Sequence, residues 1–148
     1  MAQHSKINIA LKFVSCLLFF CICIYGCRDQ QVEIRKAVDN LLEAAYEKNT
    51  EKVRQYADFD KILDEYMKEQ TLEGDIGSNQ RKTIIDELVA ATCEISKDDY
   101  EMAVRTLRVE TNKNDPGFAT AVYSTSKKKD VGLGLEKRKT GWIVIKIR

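Results

Sequence analysis

The feature that most constrains this chain is an apolar run of 13 residues near its amino terminus, residues 13–25, in which Ser15 is the only polar residue. Residues 1–12 carry Lys6 and Lys12 and no acid, which is typical of the positive region that opens a signal peptide. A helix that crosses the roughly 30 Å hydrocarbon core of a bilayer needs about 20 apolar residues, so this run is too short for a stable span. The pattern predicts a signal peptide followed by one domain of about 120 residues.

The last two residues of the apolar run and the two that follow it read IYGC, residues 24–27. An ordinary secretory signal ends in small residues of the Ala-x-Ala kind. This segment instead resembles the lipobox of bacterial lipoproteins, in which an aliphatic, a variable and a small residue precede the lipidated cysteine. The resemblance implies cleavage between Gly26 and Cys27, a diacylglyceryl thioether on the Cys27 thiol, and a fatty acid such as palmitate on the new amino group. Several acyl chains anchor a protein stably where one does not.

This resemblance divides the chain into a signal peptide at residues 1–26, a lipidated tether at residues 27–31 and a domain at residues 32–148. It implies that the protein is located in the bacterial cell envelope, anchored to a membrane by its lipid. In a cell with an outer membrane, this would be the outer membrane, with the domain facing the periplasm. Two alternatives stay open: an uncleaved signal anchor with a merely apolar Cys27, and a chance apolar start on a cytosolic protein. Cys16, Cys21 and Cys23 do not favour any of these three interpretations, since a cysteine inside an apolar run behaves as a small hydrophobic residue.

Composition beyond Cys27 excludes several classes of function. All 23 acidic residues follow Cys27, as do all but Lys6 and Lys12 of the 24 Lys and Arg, so the mature chain has a net charge of −1. That balance provides no basic face for nucleic acid. His4 is the only histidine and precedes Cys27, which excludes a Ser-His-Asp triad, a Cys-His pair and a histidine metal site from the mature chain. We therefore expect no nucleic-acid partner, no metal and no cofactor.

Cys93 is the only cysteine after Cys27, so a lipidated Cys27 leaves no pair for an internal disulfide. No histidine or cationic helix end lies beside Cys93 in the sequence to lower its pKa. We interpret it as a buried structural thiol.

The first half of the mature chain has the apolar period of amphipathic helices. Residues Ile34, Val38, Leu41 and Leu42 show it most clearly, with charged residues between them. Thr50 is predicted to cap a short helix, and residues 58–60 to form a bend with a new cap. The predicted segments are helices at residues 32–48, 51–57, 59–70 and 80–94, with a loop at residues 71–79.

From about Lys97 the apolar period becomes two, which is typical of β-strands. The inward parity changes along residues 99–111, so the pattern predicts a strand with a bulge near residues 105–106. Further strands are predicted at residues 118–126, 131–135 and 142–147, with turns at residues 112–117, 127–130 and 137–141. In the last strand we expect Ile143, Ile145 and Ile147 to face the helices and Trp142 to lie at the rim. The predicted core contains Ile34, Leu41, Leu63, Ile85, Leu107, Val122, Leu133 and Ile145.

Helices followed by successive antiparallel strands predict an α+β fold, with three N-terminal helices, not counting the short helix at residues 51–57, packed on a curved antiparallel four-stranded sheet. The plan of a first helix that ends in AAYEKNTEKVRQYADFD and a last strand GWIVIKI resembles the cystatin-like, cone-shaped nuclear transport factor two-like superfamily, and in particular its small bacterial lipoproteins of unknown function. The resemblance implies a cone that is either a ligand pocket or packed core. Ketosteroid isomerases of this superfamily place an Asp base and a Tyr donor there. Asp99, Tyr100 and Tyr66 have the matching chemical types, but no residue-by-residue match exists.

Two functions follow as hypotheses. The first is a membrane-anchored envelope lipoprotein whose domain binds a protein partner or a small apolar ligand without catalysis, with Tyr66, Tyr100 and Trp142 at the rim of the pocket. The second is a histidine-free pocket enzyme of the ketosteroid-isomerase-like type that uses an Asp and Tyr pair. A third possibility is a purely structural or immunity-like interaction module, and the sequence does not distinguish it from the first hypothesis.

Overall fold

The computed structural model describes residues 29–70 and 76–148. Glu33–Arg148 form one compact unit, and the second unit, Met1–Val32, is described only from residue 29 onward, where it is helical. The helices are α1 at residues 29–46, α2 at Thr50–Tyr56, α3 at Phe59–Glu69, α4 at Ser78–Thr92 and α5 at Lys97–Thr106. The strands are β1 at Arg108–Thr111, β2 at Phe118–Ser124, β3 at Asp130–Arg138 and β4 at Gly141–Ile147.

The four strands form one open sheet in the order β1-β2-β3-β4, and each neighbouring pair is antiparallel. The helices α2, α3 and α5 contact the sheet at β4 and β2. The predicted fold class is therefore confirmed: this is an α+β fold with helices packed against a four-stranded antiparallel sheet, an architecture consistent with the cystatin-like and nuclear transport factor two-like folds.

The core lies where the apolar faces of the helices meet the sheet. Six of the eight predicted core residues are buried, whereas Val122 and Ile145 are only partly buried. All buried apolar residues of the described chain lie between Ile34 and Val144, and they form one cluster. A fragment of residues 28–148 therefore retains the whole of this core.

Local capping sets where the short helices begin. Asn49 Oδ1 accepts a hydrogen bond from Lys52 N at 3.0 Å, so Asn49 caps α2 and the predicted cap, Thr50, is its first helical residue. Asp58 Oδ1 accepts from Lys61 N at 3.1 Å and caps α3, as the bend at residues 58–60 predicted. An oxygen at this position satisfies a backbone N–H that has no partner within the helix.

The predicted strand over residues 99–111, with its bulge near residues 105–106, is wrong. Residues 97–106 form α5, and only Arg108–Thr111 are a strand. Ser96 explains the start of α5 as its N-cap: Asp99 N donates to Ser96 Oγ at 3.1 Å, and Ser96 Oγ in turn donates to Asp99 Oδ2 at 2.8 Å. At its other end, Arg35 of α1 donates to the carbonyls of Leu107 and Val104 at 3.1 and 3.2 Å.

The predicted orientation of the last strand is also wrong. Trp142 and Val144 are buried, with 4% and 0% of their surface exposed, while Ile145 is only partly buried. Leu135 pairs with Val144 and Gly134 pairs with Lys146, so Ile145 is an extra residue on β4. Such a bulge switches the inward parity, and it returns Ile147 to the register of buried Leu133.

The turn that joins β3 to β4 is shorter than the predicted turn at residues 137–141. Strand β3 continues to Arg138 and β4 begins at Gly141, so only Lys139 and Thr140 connect them. Gly141 has φ +125°, a backbone conformation that residues with a Cβ atom rarely adopt. The glycine therefore permits the short connection.

Candidate functional site

An open cleft of about 510 Å³ lies between α3, α4, the start of α5 and the ends of β2 and β4. We call it the apolar cleft. Most of its lining is aliphatic or aromatic: Phe59, Ile62, Leu63, Tyr66, Ile84, Leu88, Ala91, Ile95, Tyr123 and Ile147. Its polar lining residues are Thr92, Glu94, Asp99 and Thr125, and the described lining contains no Lys or Arg.

The helix period places these side chains on one wall. In α3, Phe59, Ile62, Leu63 and Tyr66 follow the spacing of a single helix face, with Phe59, Ile62 and Leu63 buried. Tyr66 is the next residue on that face and remains 55% exposed. The inner part of the α3 face is therefore core, and its outer part forms the wall of the cleft.

The sheet forms the opposite wall. Tyr123 of β2 is partly buried, and its pKa is raised, first because burial removes water from the phenol and second because of the nearby Asp99 carboxylate. Ile147 of β4 is 38% exposed and reaches the cleft because of the bulge at Ile145. Tyr123 and Ile147 were not predicted as site residues, and the only available sequence signal was strand alternation, which does not show which helix each residue meets.

Asp99 is the most constrained polar group of the cleft. Asp99 Oδ2 accepts from Ser96 Oγ, and Asp99 Oδ1 accepts from Ser126 N at 2.8 Å and from Ser126 Oγ at 2.6 Å. These bonds join the start of α5 to the turn after β2. The Ser126 hydroxyl, followed by the Ser96 hydroxyl and the Ser126 N–H, holds the pKa of Asp99 below its ordinary value of 3.8. The carboxylate is therefore ionised and a weak base at neutral pH.

The structure separates the three residues that the sequence placed at a pocket rim. Tyr66 lines the apolar cleft. The ring of Tyr100 stacks on that of Tyr46, with centroids 4.6 Å apart, and Tyr100 is not among the cleft-lining residues. Trp142 is buried and lines a different cleft, between α1, α2 and the β3–β4 hairpin.

The remaining sequence predictions concern Cys93, the lipid-attachment site, metal sites and membrane spans. Cys93 is free and buried, and burial raises the pKa of its thiol, as expected of a structural cysteine. Gly26 and Cys27, the predicted cleavage and lipid-attachment residues, lie outside the described residues. Within residues 29–70 and 76–148, no group of His, Cys, Asp or Glu is arranged to hold a metal ion. In the same part of the chain, no helix has both the length and the apolar character that a membrane span requires.

Comparison of this chain with protein-family models, with curated proteins and with solved structures finds no match.

Proposed function

We propose that this chain is a bacterial envelope lipoprotein, anchored through Cys27, whose domain binds a small apolar ligand in the apolar cleft and catalyses no reaction. The observation that carries the binding function is the cleft itself: about 510 Å³, with ten aliphatic or aromatic side chains in its lining. Small-molecule sites in proteins commonly measure roughly 300–1,000 Å³ and combine apolar walls with a few polar groups.

The charge of the lining narrows the class of ligand. Glu94 and Asp99 are the only ionisable side chains in the described lining besides the two tyrosines, and both are acidic. An anionic ligand would be repelled by these carboxylates and would find no cation in the lining to pair with. We therefore expect the cleft to prefer neutral or cationic amphiphiles over fatty-acid anions.

The state of Asp99 supports binding rather than acid-base catalysis. A carboxylate that removes protons from carbon near neutral pH is helped by a pKa close to the working pH. The pKa of Asp99 is lowered instead, and both of its oxygens are occupied by hydrogen bonds from Ser96 and Ser126. These hydrogen bonds join α5 to the turn after β2, which is a structural role. The tyrosines proposed as partners of Asp99 are Tyr66 and Tyr100, and of these two only Tyr66 lines the cleft.

The amino-terminal pattern supports the anchor. The 13-residue apolar run is shorter than a membrane span, the residues before it carry Lys6 and Lys12 and no acid, and Gly26 and Cys27 follow it directly. Acylation of Cys27 would attach the chain to the membrane through several hydrocarbon chains.

A cleft-filling substitution tests the ligand site. Ala91 is exposed on α4 and lines the cleft, while its neighbour Ala90 is exposed on α4 and does not. With residues 28–148 and the neutral fluorescent probe N-phenyl-1-naphthylamine, we expect saturable binding that Ala91→Trp weakens roughly ten-fold, equivalent to about 1.4 kcal/mol. Ala90→Trp should bind as the wild type does. Absence of saturable binding by the wild type, or equal weakening by both variants, contradicts the site.

A labelling experiment tests the anchor separately. In bacteria supplied with radiolabelled palmitate, the wild-type chain should incorporate label and Cys27→Ser should not, and the variant should migrate as the uncleaved precursor. Cys23→Ser is the matched control, because Cys23 lies inside the apolar run and should leave labelling intact. Equal labelling of the wild type and Cys27→Ser excludes the lipoprotein assignment.

A further inference from the structure

A second cleft, of about 640 Å³, opens between α1, α2 and the β3–β4 hairpin. We call it the lysine cleft, because Lys36 of α1 and Lys137 and Lys139 of the hairpin line it. Asn40 and Gln55 contribute neutral hydrogen-bonding groups, and Trp142 forms part of the wall. It shares no lining residue with the apolar cleft.

The positive charge of this cleft is only partly neutralised. Arg138, which also lines it, is held by Asp58 at 2.7 Å and by Glu136 at 3.1 Å. Lys137 Nζ lies 3.6 Å from Glu33, which is the one acidic residue of the described lining. Lys36 and Lys139 have no carboxylate within ion-pair distance among the residues that the structure describes. Two ammonium groups therefore remain available to an anion.

Trp142 adds an unsatisfied donor. Only 4% of its surface is exposed, and its Nε1–H has no acceptor among the described residues. A buried N–H without an acceptor costs free energy, and the indole nitrogen can only donate. The Lys137 ammonium lies 5.8 Å from the ring centre. Trp142 forms part of the wall of the lysine cleft, so its indole N–H reports on a ligand bound beside it.

We propose that the lysine cleft binds a phosphate group, either as a free phosphate anion or as the phosphate of an anionic lipid headgroup. A phosphate offers several strong acceptor oxygens, which matches the two unpaired ammonium groups of Lys36 and Lys139 and the neighbouring side-chain amides of Asn40 and Gln55. The cleft selects against cationic ligands, since its unpaired charges are positive. This site is independent of the proposed apolar ligand and of the anchor.

Trp142 is the only tryptophan of the chain, so its indole N–H gives a single cross-peak in a ¹⁵N-correlated NMR spectrum. The experiment uses the full chain in phosphatidylcholine nanodiscs, titrated with inorganic phosphate. We expect the indole cross-peak to move saturably, and Lys36→Gln with Lys139→Gln to weaken this binding roughly ten-fold, as for the loss of two exposed charge contacts. The control pair is Lys82→Gln with Lys113→Gln, exposed lysines on a helix and in a turn away from the cleft, which should bind as the wild type does.

A second arm identifies the source of the phosphate. Nanodiscs that contain phosphatidylglycerol, without inorganic phosphate, should move the wild-type indole cross-peak to its phosphate-bound position if a lipid headgroup occupies the cleft. Movement by inorganic phosphate alone assigns the site to a free anion. The proposal is overturned if neither arm moves the cross-peak saturably, if chloride at equal ionic strength moves it equally, or if the Lys36, Lys139 double variant responds as its control does.

Discussion

The orientation of the last strand predicts an unusual order of mutational effects at two adjacent residues. Val144 is fully buried and faces the helices, whereas Ile145 is the extra residue of the bulge and only partly buried. Alanine at Val144 should therefore destabilise the protein more than alanine at Ile145, although isoleucine loses the larger side chain.

The magnitudes follow from burial. Val144→Ala removes two carbons, which at about 0.8 kcal/mol per buried carbon gives about 1.6 kcal/mol. The cavity left beside Ala57, which bridges to Val144, raises the cost to roughly 2–3 kcal/mol. Ile145→Ala removes three carbons that are already in partial contact with water, so we expect about 1 kcal/mol. Both changes substitute alanine on the same strand, so the change in strand propensity is similar and largely cancels.

Urea unfolding of residues 28–148, followed by circular dichroism, measures the two free energies of unfolding. The slope of free energy against urea should stay equal in both variants, so that a shift in midpoint reports stability. A larger loss for Ile145→Ala than for Val144→Ala would refute the reasoning, because it would mean that the isoleucine row, and not Trp142 and Val144, faces the helices.

Two further predictions concern polar groups that join elements of the fold. Asp58 both caps α3 and accepts from Arg138 at 2.7 Å, so Asp58→Ala should lower the free energy of unfolding by about 1–2 kcal/mol. Asp58→Asn keeps a capping oxygen and should therefore lose about half of that free energy. Equal losses for the two variants in urea melts would show that the cap contributes nothing. The folded-state pKa of Asp99 lies below its ordinary value of 3.8, so its charge stabilises the native state fully above that pH and loses this effect as the pH falls through the folded pKa. The stability difference between the wild type and Asp99→Asn should therefore shrink between pH 7 and pH 3, and a difference that stays constant or grows on acidification would contradict the assignment.

Elements whose signals are local were predictable from the sequence. The apolar period of α1, α3 and α4 identifies each helix and the face that it buries, because residues three and four apart lie on one side of a helix. The same faces of α3 and α4 supply one wall of the apolar cleft, with Tyr66 among its residues. Four successive antiparallel strands follow from the turn residues between them. These features depend on neighbours in sequence, so the pattern was sufficient.

Residues 97–106 show where a local signal was ambiguous. Tyr100, Met102 and Val104 alternate as in a strand, but Ala103 and Leu107, both buried, are four apart as in a helix. The Ser-x-x-Asp pattern at residues 96–99 is a helix-start signal that outweighs the short alternation, and Ser96 does cap α5.

The orientation of β4 and the make-up of the apolar cleft depend on contacts between segments that are distant in the sequence. Both rows of β4 are apolar, so alternation does not choose between them, and the choice depends on the bulge at Ile145 and on the bond from Asp58 N to the Val144 carbonyl, 2.8 Å long. The carbonyls at the end of α5 are satisfied by Arg35, far away in the sequence. The apolar cleft likewise brings together Glu94, Asp99 and Tyr123. This arrangement depends on contacts between segments that are distant in the sequence, so no single stretch of the chain predicts it.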